Sequence, residues 1–223
     1  MTSTTKISAL DFHDKLIEKK GIKDASGFSA QGRATRFEII IKCLSDFPDP
    51  HLILMDYGCN DGELLTSLTN LAPVGRYIGV DVNPKFIAYA KNKWASRANI
   101  ASFWVGNALV DTDHSRITQQ TPDIVVASGT MCYQGQEETY PELIRRLYES
   151  AKQGLIFNVI AAEVPKMLMN TRLVKQSEEL YRWKAADLLH AVQKTGCAAW
   201  DIRHGYLHND ITVVMRKRWT HFR

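Results

Sequence analysis

Residues 52–65 read Leu52-Ile53-Leu54-Met55-Asp56-Tyr57-Gly58-Cys59-Asn60-Asp61-Gly62-Glu63-Leu64-Leu65, and this segment determines the architecture of the chain. An apolar run ends at Asp56, two glycines lie four residues apart, and an apolar helical pattern begins directly after the second glycine. This pattern predicts a buried strand, a tight turn and the first turn of a helix. Gly58 and Gly62 permit a sharp backbone turn and place no Cβ between the loop and a bound ligand.

A second predicted strand completes a pattern that is typical of nucleoside binding. It reads Arg76-Tyr77-Ile78-Gly79-Val80 and ends at Asp81. A glycine turn followed by an acidic residue at the end of the next strand holds a nucleoside, because the acid accepts hydrogen bonds from the ribose hydroxyls. A dinucleotide site would show Gly-x-Gly-x-x-Gly to face a pyrophosphate. Here Tyr57 stands where that fingerprint has its first glycine, which disfavours a nicotinamide oxidoreductase.

The glycine turn resembles motif I of the class I S-adenosylmethionine-dependent methyltransferases, in which an acidic residue precedes Gly-Cys-Gly-x-Gly. Asp56, Gly58, Cys59 and Gly62 fit that motif, and the chain departs from it at Asn60, where the family most often has glycine. Asparagine tolerates the left-handed backbone region better than most other residues, so we expect the turn to be kept.

The resemblance extends along nearly the whole chain and implies an α/β fold. Later segments look like the remaining strands and loops of the family, namely 77–84, 103–108, 123–129, 154–159 and 205–214. The resemblance implies a Rossmann-like, doubly wound, mostly parallel sheet of seven strands in the order 3-2-1-4-5-7-6, with an antiparallel last strand and extra N-terminal helices. Alternating strand and helix patterns agree with parallel βαβ units.

Two parts are expected within one compact domain. Residues 1–48 are predicted to form a helical cap, with helices near 8–20 and 31–47, and residues 49–223 are predicted to form the methyltransferase core. Pro48 and Pro50 end the second of these helices. Residues 161–182 are open to two interpretations, a cover over the methyl acceptor or an amphipathic helix packed on the edge of the sheet.

Ligands of open α/β sheets lie beyond the carboxyl ends of the strands. The resemblance therefore implies a site for S-adenosylmethionine formed by Arg36, Asp56, Gly58, Cys59, Asn60, Gly62, Asp81, Val82, Phe86, Asn107, Ala108, Ser128 and Gly129. Asp81 is expected to hold the ribose diol, Asp56 to orient the ammonium group, and Asn107 or the N–H of Ala108 to read the adenine edge. The alternative for each residue is a strand-end residue that caps the next helix.

The catalytic candidates are Asn158, His204 and His208. Methyl transfer from a sulfonium depends on alignment, and it needs a general base only when the acceptor is a hydroxyl or a protonated amine. Asn158 either bonds an acceptor or satisfies the backbone at the end of its strand. The two histidines have a spacing that would suit a metal on a helix, but Gly205 and Asn209 favour a turn, so no metal site is expected.

Composition constrains the partners and the compartment. The chain has 28 basic and 24 acidic residues, and this mild excess of positive charge neither requires nor excludes nucleic acid. A basic and aromatic end, residues 216–223, is the one hint of RNA binding. Four separated cysteines, a polar start without a signal-peptide pattern and no long apolar run predict a cytoplasmic protein with no membrane span.

The sequence thus predicts a methyltransferase that acts on an oxygen or nitrogen of a small-molecule acceptor. Two alternatives stay open, an RNA or protein methyltransferase and a non-catalytic relative that binds the cofactor. A homodimer is possible, because self-association is common among soluble proteins.

Overall fold

A seven-stranded sheet forms the centre of the molecule. The computed structural model describes residues 8–47, 49, 51–68, 74–162, 180–207 and 209–217. The strands are β1 Leu52–Tyr57, β2 Val74–Asp81, β3 Ala101–Val105, β4 Ile124–Ala127, β5 Gly154–Ile160, β6 Ala199–Arg203 and β7 Asp210–Arg216. Their order is β3-β2-β1-β4-β5-β7-β6, and β7 is antiparallel to both of its neighbours. The predicted fold and strand order are confirmed.

Seven α-helices are found in the described part of the chain. They are α1 Ala9–Lys20, α2 Ala30–Leu44, α3 Glu63–Leu68, α4 Pro84–Lys93, α5 Asp111–Gln119, α6 Tyr140–Ser150 and α7 Ala185–Gln193. Serine side chains cap the first two, since Ser8 accepts from the Asp11 N–H and Ser29 from the Gly32 N–H. The sequence did not predict α5, because Ile117 is its one buried residue and leaves no apolar period.

Apolar side chains cover the sheet on both faces. One core packs α5, α6 and α7 against Met55, Ile78 and Phe157, and the other packs α2, α3 and α4 against Leu54 and Val126. Adjacent strand residues such as Leu54 and Met55 belong to opposite cores, as the two-residue period of a strand requires. The sheet is therefore a rigid base that fixes the position of each strand end.

Polar contacts attach the N-terminal segment to the core. Asn83, the N-cap of α4, donates its side-chain amide to Asp14 of α1 at 2.9 Å. Lys85 of α4 forms an ion pair with the same carboxylate. These contacts fix α1 beside the end of β2, while the division of the chain at residue 48 stays a prediction.

Some predictions fall outside the described residues. They concern most of the segment 161–182, of which 163–179 are not described, and most of the basic end, of which 218–223 are not described. Within the described ranges, no helix has the length and apolar character that crossing a bilayer requires.

Candidate cofactor-binding site

The carboxyl ends of β1 to β4 open into one cavity of about 470 Å³. Its wall includes Asp56 of β1, Asp81 of β2, Val105 of β3 and Ser128, which follows β4. A cavity of this size falls in the range of small-molecule sites, roughly 300–1,000 Å³. The predicted position of the ligand site at the strand ends therefore coincides with a cavity in the structure.

The turn after β1 has the backbone conformation that its sequence predicts. Gly58 has φ +78°, and Asn60 has φ +48°, so asparagine occupies the left-handed region where the family most often has glycine. The Gly58 N–H donates to the Val80 carbonyl at 2.7 Å. A Cβ on Gly58 would lie 2.1 Å from Cγ2 of Thr130, so the loop requires glycine here for space as well as for conformation.

Asp81 is held at the end of β2 by two backbone donors. Its carboxylate accepts from the Asn60 N–H at 2.9 Å and from the Asn83 N–H at 2.8 Å. Burial raises the pKa of Asp81, while these N–H donors favour the charged form. The carboxylate lines the cavity with lone pairs to spare, so it can accept hydrogen bonds from ligand hydroxyls.

Asp56 is a buried carboxyl at the start of the turn. The Tyr77 hydroxyl donates to its Oδ2 at 2.5 Å. Burial raises the pKa of Asp56 to about 7, the Tyr77 hydrogen bond opposes this rise, and the negative charge of Asp81 adds to it. Since Asp56 lines the cavity, a cationic group bound there would favour its charged form.

Two side-chain oxygens on the cavity wall are buried without a hydrogen-bond partner in the described part of the chain. They are Oδ1 of Asn60 and Oγ1 of Thr130. The Asn60 amide donates through Nδ2 to the Gly58 carbonyl at 3.4 Å, which directs Oδ1 away from that carbonyl. A buried oxygen without a donor is unusual in a folded protein, and a ligand with an N–H or O–H group would satisfy it.

The loop after β3 forms another part of the wall. The Leu109 N–H donates to Oδ1 of Asn107 at 3.0 Å, and the Asn107 N–H donates to the Asp113 carboxylate at 2.8 Å. The Ala108 N–H donates to the Tyr57 hydroxyl at 3.1 Å. Because that N–H is already bonded within the protein, Asn107 is the better placed of the two residues that were predicted to read an adenine edge.

Ten of the thirteen predicted cofactor residues line the cavity, and Gly62, Phe86 and Ala108 do not. Phe86 is buried beneath His13, with the two ring centroids 5.3 Å apart. A Cβ on Gly62 would lie 2.7 Å from the indole nitrogen of Trp94, so this glycine is needed for close packing. The structure places these three residues behind the wall of the site.

Arg36 lines the cavity, but its charge is paired within the protein. Its guanidinium donates to both carboxylate oxygens of Asp210, at 2.6 and 2.9 Å, and lies 4.0 Å from the centre of the Phe28 ring. Both charged side chains are almost fully buried. This geometry favours a structural role for Arg36 over the predicted contact with a cofactor carboxylate.

Asn158 supports the loop after β4 and does not line the cavity. Its Oδ1 accepts from the Gly129 N–H at 2.9 Å, and its Nδ2 donates to Asp210 at 3.1 Å. Gly129, with φ +69°, is thereby fixed on the cavity wall. Of the two interpretations of Asn158, this arrangement favours the one in which it satisfies the backbone at a strand end.

Of the two predicted catalytic histidines, the structure describes His204, which it does not bring to the site. His204 is exposed and lies outside the cavity wall, and His208 falls outside the described residues. No group of three or more potential metal ligands occurs in the ranges that the structure describes.

His13 lines the cavity and was missed by the sequence analysis. Its Nδ1 lies 2.7 Å from the Ala25 carbonyl oxygen and must carry the hydrogen, so Nε2 accepts from the Tyr133 hydroxyl, also at 2.7 Å. Burial lowers the pKa of His13. A single histidine in a helical segment gives no sequence signal, because its side-chain partner, Tyr133, lies 120 residues along the chain.

A family model described as a methyltransferase domain matches residues 48–212. The chain belongs to this methyltransferase family. It is a class I methyltransferase, and its methyl donor is S-adenosylmethionine. Comparison with curated proteins gave no match.

Solved methyltransferases have a similar fold. Magnesium protoporphyrin IX methyltransferase from Synechocystis PCC 6803, with bound S-adenosylhomocysteine, is 18% identical over 84% of both chains with a TM-score of 0.62. The methyltransferase domain of a bacterial Hen1 protein is 14% identical over 82% of this chain and 98% of its own, with a TM-score of 0.63. Human N-acetylserotonin methyltransferase, in complex with S-adenosylmethionine, is 16% identical over 93% of this chain and 55% of its own, with a TM-score of 0.61. At these identities the likeness shows a shared fold.

Proposed function

We propose that this methyltransferase acts on an oxygen or nitrogen of a small-molecule acceptor. The proposal rests on the position of the N-terminal segment over the cavity. Leu10, His13 and Phe28 of this segment line the same space as Asp56 and Asp81. A cavity that is partly covered in this way, with a volume of about 470 Å³, suits a small acceptor that fits within it.

The residues of the cavity fit S-adenosylmethionine. Asp81 would accept hydrogen bonds from the two ribose hydroxyls, since its carboxylate is held by backbone donors and faces the cavity. Asp56 would orient the ammonium group, directly or through water. Oδ1 of Asn60 is a buried acceptor without a donor in the described ranges, and the same ammonium would supply one. This role would give Asn60 a function that a glycine at its position lacks.

The bound cofactor supplies an electrophilic methyl group on a sulfonium, so the protein contributes mainly by alignment. Favourable alignment is worth up to about 7–11 kcal/mol. Gly129 and Ser128 form the cavity wall at the end of β4, and the hydrogen bond from Gly129 to Asn158 fixes their position. Asn158 is therefore proposed as a positioning residue.

His13 is the proposed proton acceptor where the methyl acceptor must lose a proton. Its Nε2 carries a lone pair and is bonded to the Tyr133 hydroxyl, which also lines the cavity. A proton would pass from the acceptor to the Tyr133 oxygen as the Tyr133 proton moves to Nε2. Burial disfavours the protonated imidazole that results, and the negative charge of Asp81 offsets part of this effect.

The first experiment measures binding of S-adenosylmethionine and S-adenosylhomocysteine by calorimetry to the native protein, Asp81→Asn and the exposed control Asp24→Asn. Hydrogen bonds to a charged group contribute about 1.5–3 kcal/mol, so Asp81→Asn should weaken binding by roughly ten- to hundred-fold. The control should bind like the native protein. If Asp81→Asn bound the cofactor as tightly as the native protein, Asp81 would not be the residue that holds the ribose hydroxyls.

The second experiment follows a labelled methyl group into separated cell-extract fractions. Incorporation into the small-molecule fraction, lost in Asp81→Asn, is the expected result. Label found in RNA or protein alone would replace the proposal with one of those acceptors. Cofactor binding without label in any fraction would indicate a non-catalytic relative. A cytoplasmic location and a homodimer stay predictions.

A further inference from the structure

The hydroxyl of Tyr140 holds both backbone polar groups of Tyr133. It accepts from the Tyr133 N–H at 2.7 Å and donates to the Tyr133 carbonyl oxygen, also at 2.7 Å. Tyr140 is 1% exposed, so breaking these bonds would leave buried backbone groups unpaired. A tyrosine hydroxyl has one hydrogen to donate, and this one is used within the protein, so Tyr140 cannot donate to a ligand although it lines the cavity.

Tyr140 itself is fixed at the first residue of α6. Leu143, Ile144 and Leu147 of this helix are buried in the core against the sheet. The Tyr140 ring stacks on the Trp183 indole, with the ring centroids 5.8 Å apart and the planes inclined by 27°. The hydroxyl that holds the loop after β4 therefore has a fixed position relative to the sheet.

Residues 180 and 181 add a second support to the same loop. Tyr133 forms an antiparallel bridge with Leu180, and the Tyr181 N–H donates to the Cys132 carbonyl at 2.8 Å. From this fixed backbone the Tyr133 side chain extends to α1, where its hydroxyl lies 2.7 Å from Nε2 of His13. The position of that hydroxyl thus depends on how the backbone of Tyr133 is held.

The proton step proposed for this site requires close contact between Tyr133 and His13. A proton passes between two heavy atoms within hydrogen-bond distance, about 2.6–3.2 Å. The Ala25 carbonyl, 2.7 Å from Nδ1, orients the imidazole of His13. The Tyr140 hydroxyl has the corresponding place on the tyrosine side, because it fixes the residue that meets Nε2.

We propose that Tyr140 is a positioning residue of this methyltransferase, which acts through Tyr133 to keep the Tyr133 hydroxyl within proton-transfer distance of His13. The inference rests on the proposed role of His13 and Tyr133 as the proton acceptor. Tyr140 takes no proton itself. The proton of the methyl acceptor passes to the Tyr133 oxygen and the Tyr133 proton passes to Nε2, while both hydrogen bonds of Tyr140 stay in place.

Tyr140→Phe tests this inference, because it removes the hydroxyl and keeps the aromatic ring. Tyr148→Phe is the matched control, since Tyr148 is also buried in α6, donates its hydroxyl to a backbone carbonyl at 3.1 Å and does not line the cavity. Tyr133→Phe removes the hydrogen bond to His13 directly and gives the reference for its loss.

The first readout is the NMR resonance of the His13 Nε2 nitrogen in the protein without ligand. Burial lowers the pKa of His13 below its ordinary value of 6.5, so the imidazole is neutral at pH 8 and Nε2 carries no hydrogen. Such a nitrogen responds to the hydrogen bond that it accepts, and its signal is assigned as the one lost in His13→Gln. Tyr140→Phe should move this resonance in the same direction as Tyr133→Phe, and Tyr148→Phe should leave it at the native position.

The second readout is the transfer of a labelled methyl group from S-adenosylmethionine to the small-molecule fraction of a cell extract. General acid–base catalysis typically contributes about 10²–10⁴-fold, so Tyr133→Phe should lower the transfer rate about hundredfold or more. Tyr140→Phe keeps the Tyr133 hydroxyl but no longer fixes it, and it should lower the rate about tenfold. Tyr148→Phe should transfer at the native rate.

The possible outcomes separate this inference from the proposed function. If Tyr140→Phe is less stable to urea but keeps the native Nε2 resonance and transfer rate, Tyr140 has only a structural role and the inference is overturned. If Tyr140→Phe does not fold, Trp183→Phe replaces it, because it reduces the ring on which Tyr140 stacks, and a native resonance in that variant overturns the inference. A native transfer rate in Tyr133→Phe would overturn the proposed proton acceptor, and this inference with it.

Discussion

Asp56→Asn should stabilise the protein without ligand at neutral pH. Burial holds the pKa of Asp56 at about 7, against an ordinary value of 3.8. Between these two pH values the unfolded chain has lost the proton and the native state retains it, so native stability falls as pH rises from about 4 to about 7. The full effect corresponds to about 4 kcal/mol. An amide cannot ionise and avoids this loss, and its oxygen can still accept the Tyr77 hydroxyl.

Urea unfolding of the ligand-free protein at several pH values measures the effect. The stability gained by Asp56→Asn should increase by about 2–3 kcal/mol between pH 5 and pH 8. The exposed Asp24→Asn controls for the loss of one negative charge, and its difference from the native protein should vary little with pH. Parallel pH profiles for the native protein and Asp56→Asn would refute the reasoning, because they would mean that Asp56 titrates alike in both states.

The same substitution should weaken cofactor binding. A ligand ammonium beside Asp56 favours the carboxylate, so the native protein should release protons when it binds S-adenosylmethionine near pH 7. Calorimetry in two buffers of different ionisation enthalpy measures that release. Asp56→Asn should release fewer protons and bind the cofactor less tightly, while being the more stable protein without it.

Urea unfolding of three further variants, one of them a control, tests which residues stabilise the site. Gly58→Ala places a Cβ at a positive φ and against Thr130, so it should lower the free energy of unfolding by about 2–5 kcal/mol. Gly196→Ala is the control, because its φ is also positive, +66°, but a Cβ there has open space. It should lower the free energy of unfolding by only about 1–2 kcal/mol. Equal losses would show that the contact with Thr130 relaxes freely. Arg36→Ala leaves Asp210 buried without its counter-ion and should lose about 3–5 kcal/mol. A loss below about 1 kcal/mol would mean that water or another group neutralises that carboxylate.

The residues at the strand ends of the site could be predicted from sequence, because each follows a local pattern in its own segment. Asp56 and Asp81 follow directly on apolar runs, and parallel strands bring their carboxyl ends to one edge of the sheet. Asn60 could be assigned to the left-handed region because few other residues tolerate it. Local chemistry thus predicted the glycine turn and the position of the ligand site at the strand ends, whereas the strand order was implied by the resemblance to the methyltransferase family.

Contacts between residues far apart in the chain could not be predicted, because no local sequence pattern indicates them. Arg36 and Asp210 are 174 residues apart, and neither stands in a pattern that marks an ion pair. His13 meets Tyr133 over 120 residues, and nothing near either residue in the sequence marks that contact. Asp113 lies in a helix with one buried residue, so the apolar periodicity that reveals other helices is missing there.

The ion pair between Arg36 and Asp210 has a consequence for any attempt to shorten the protein. The family match begins at residue 48, so a chain trimmed to that boundary would keep Asp210 and lose the arginine that neutralises it. The Asp210 carboxylate would stay buried without a counter-ion. Asn158 donates to that carboxylate and accepts from the Gly129 N–H, so the Gly129 loop would lose part of its support. Trimming is therefore expected to loosen the Gly129 loop on the cavity wall, and the smallest unit that keeps this loop ordered is expected to begin before Arg36.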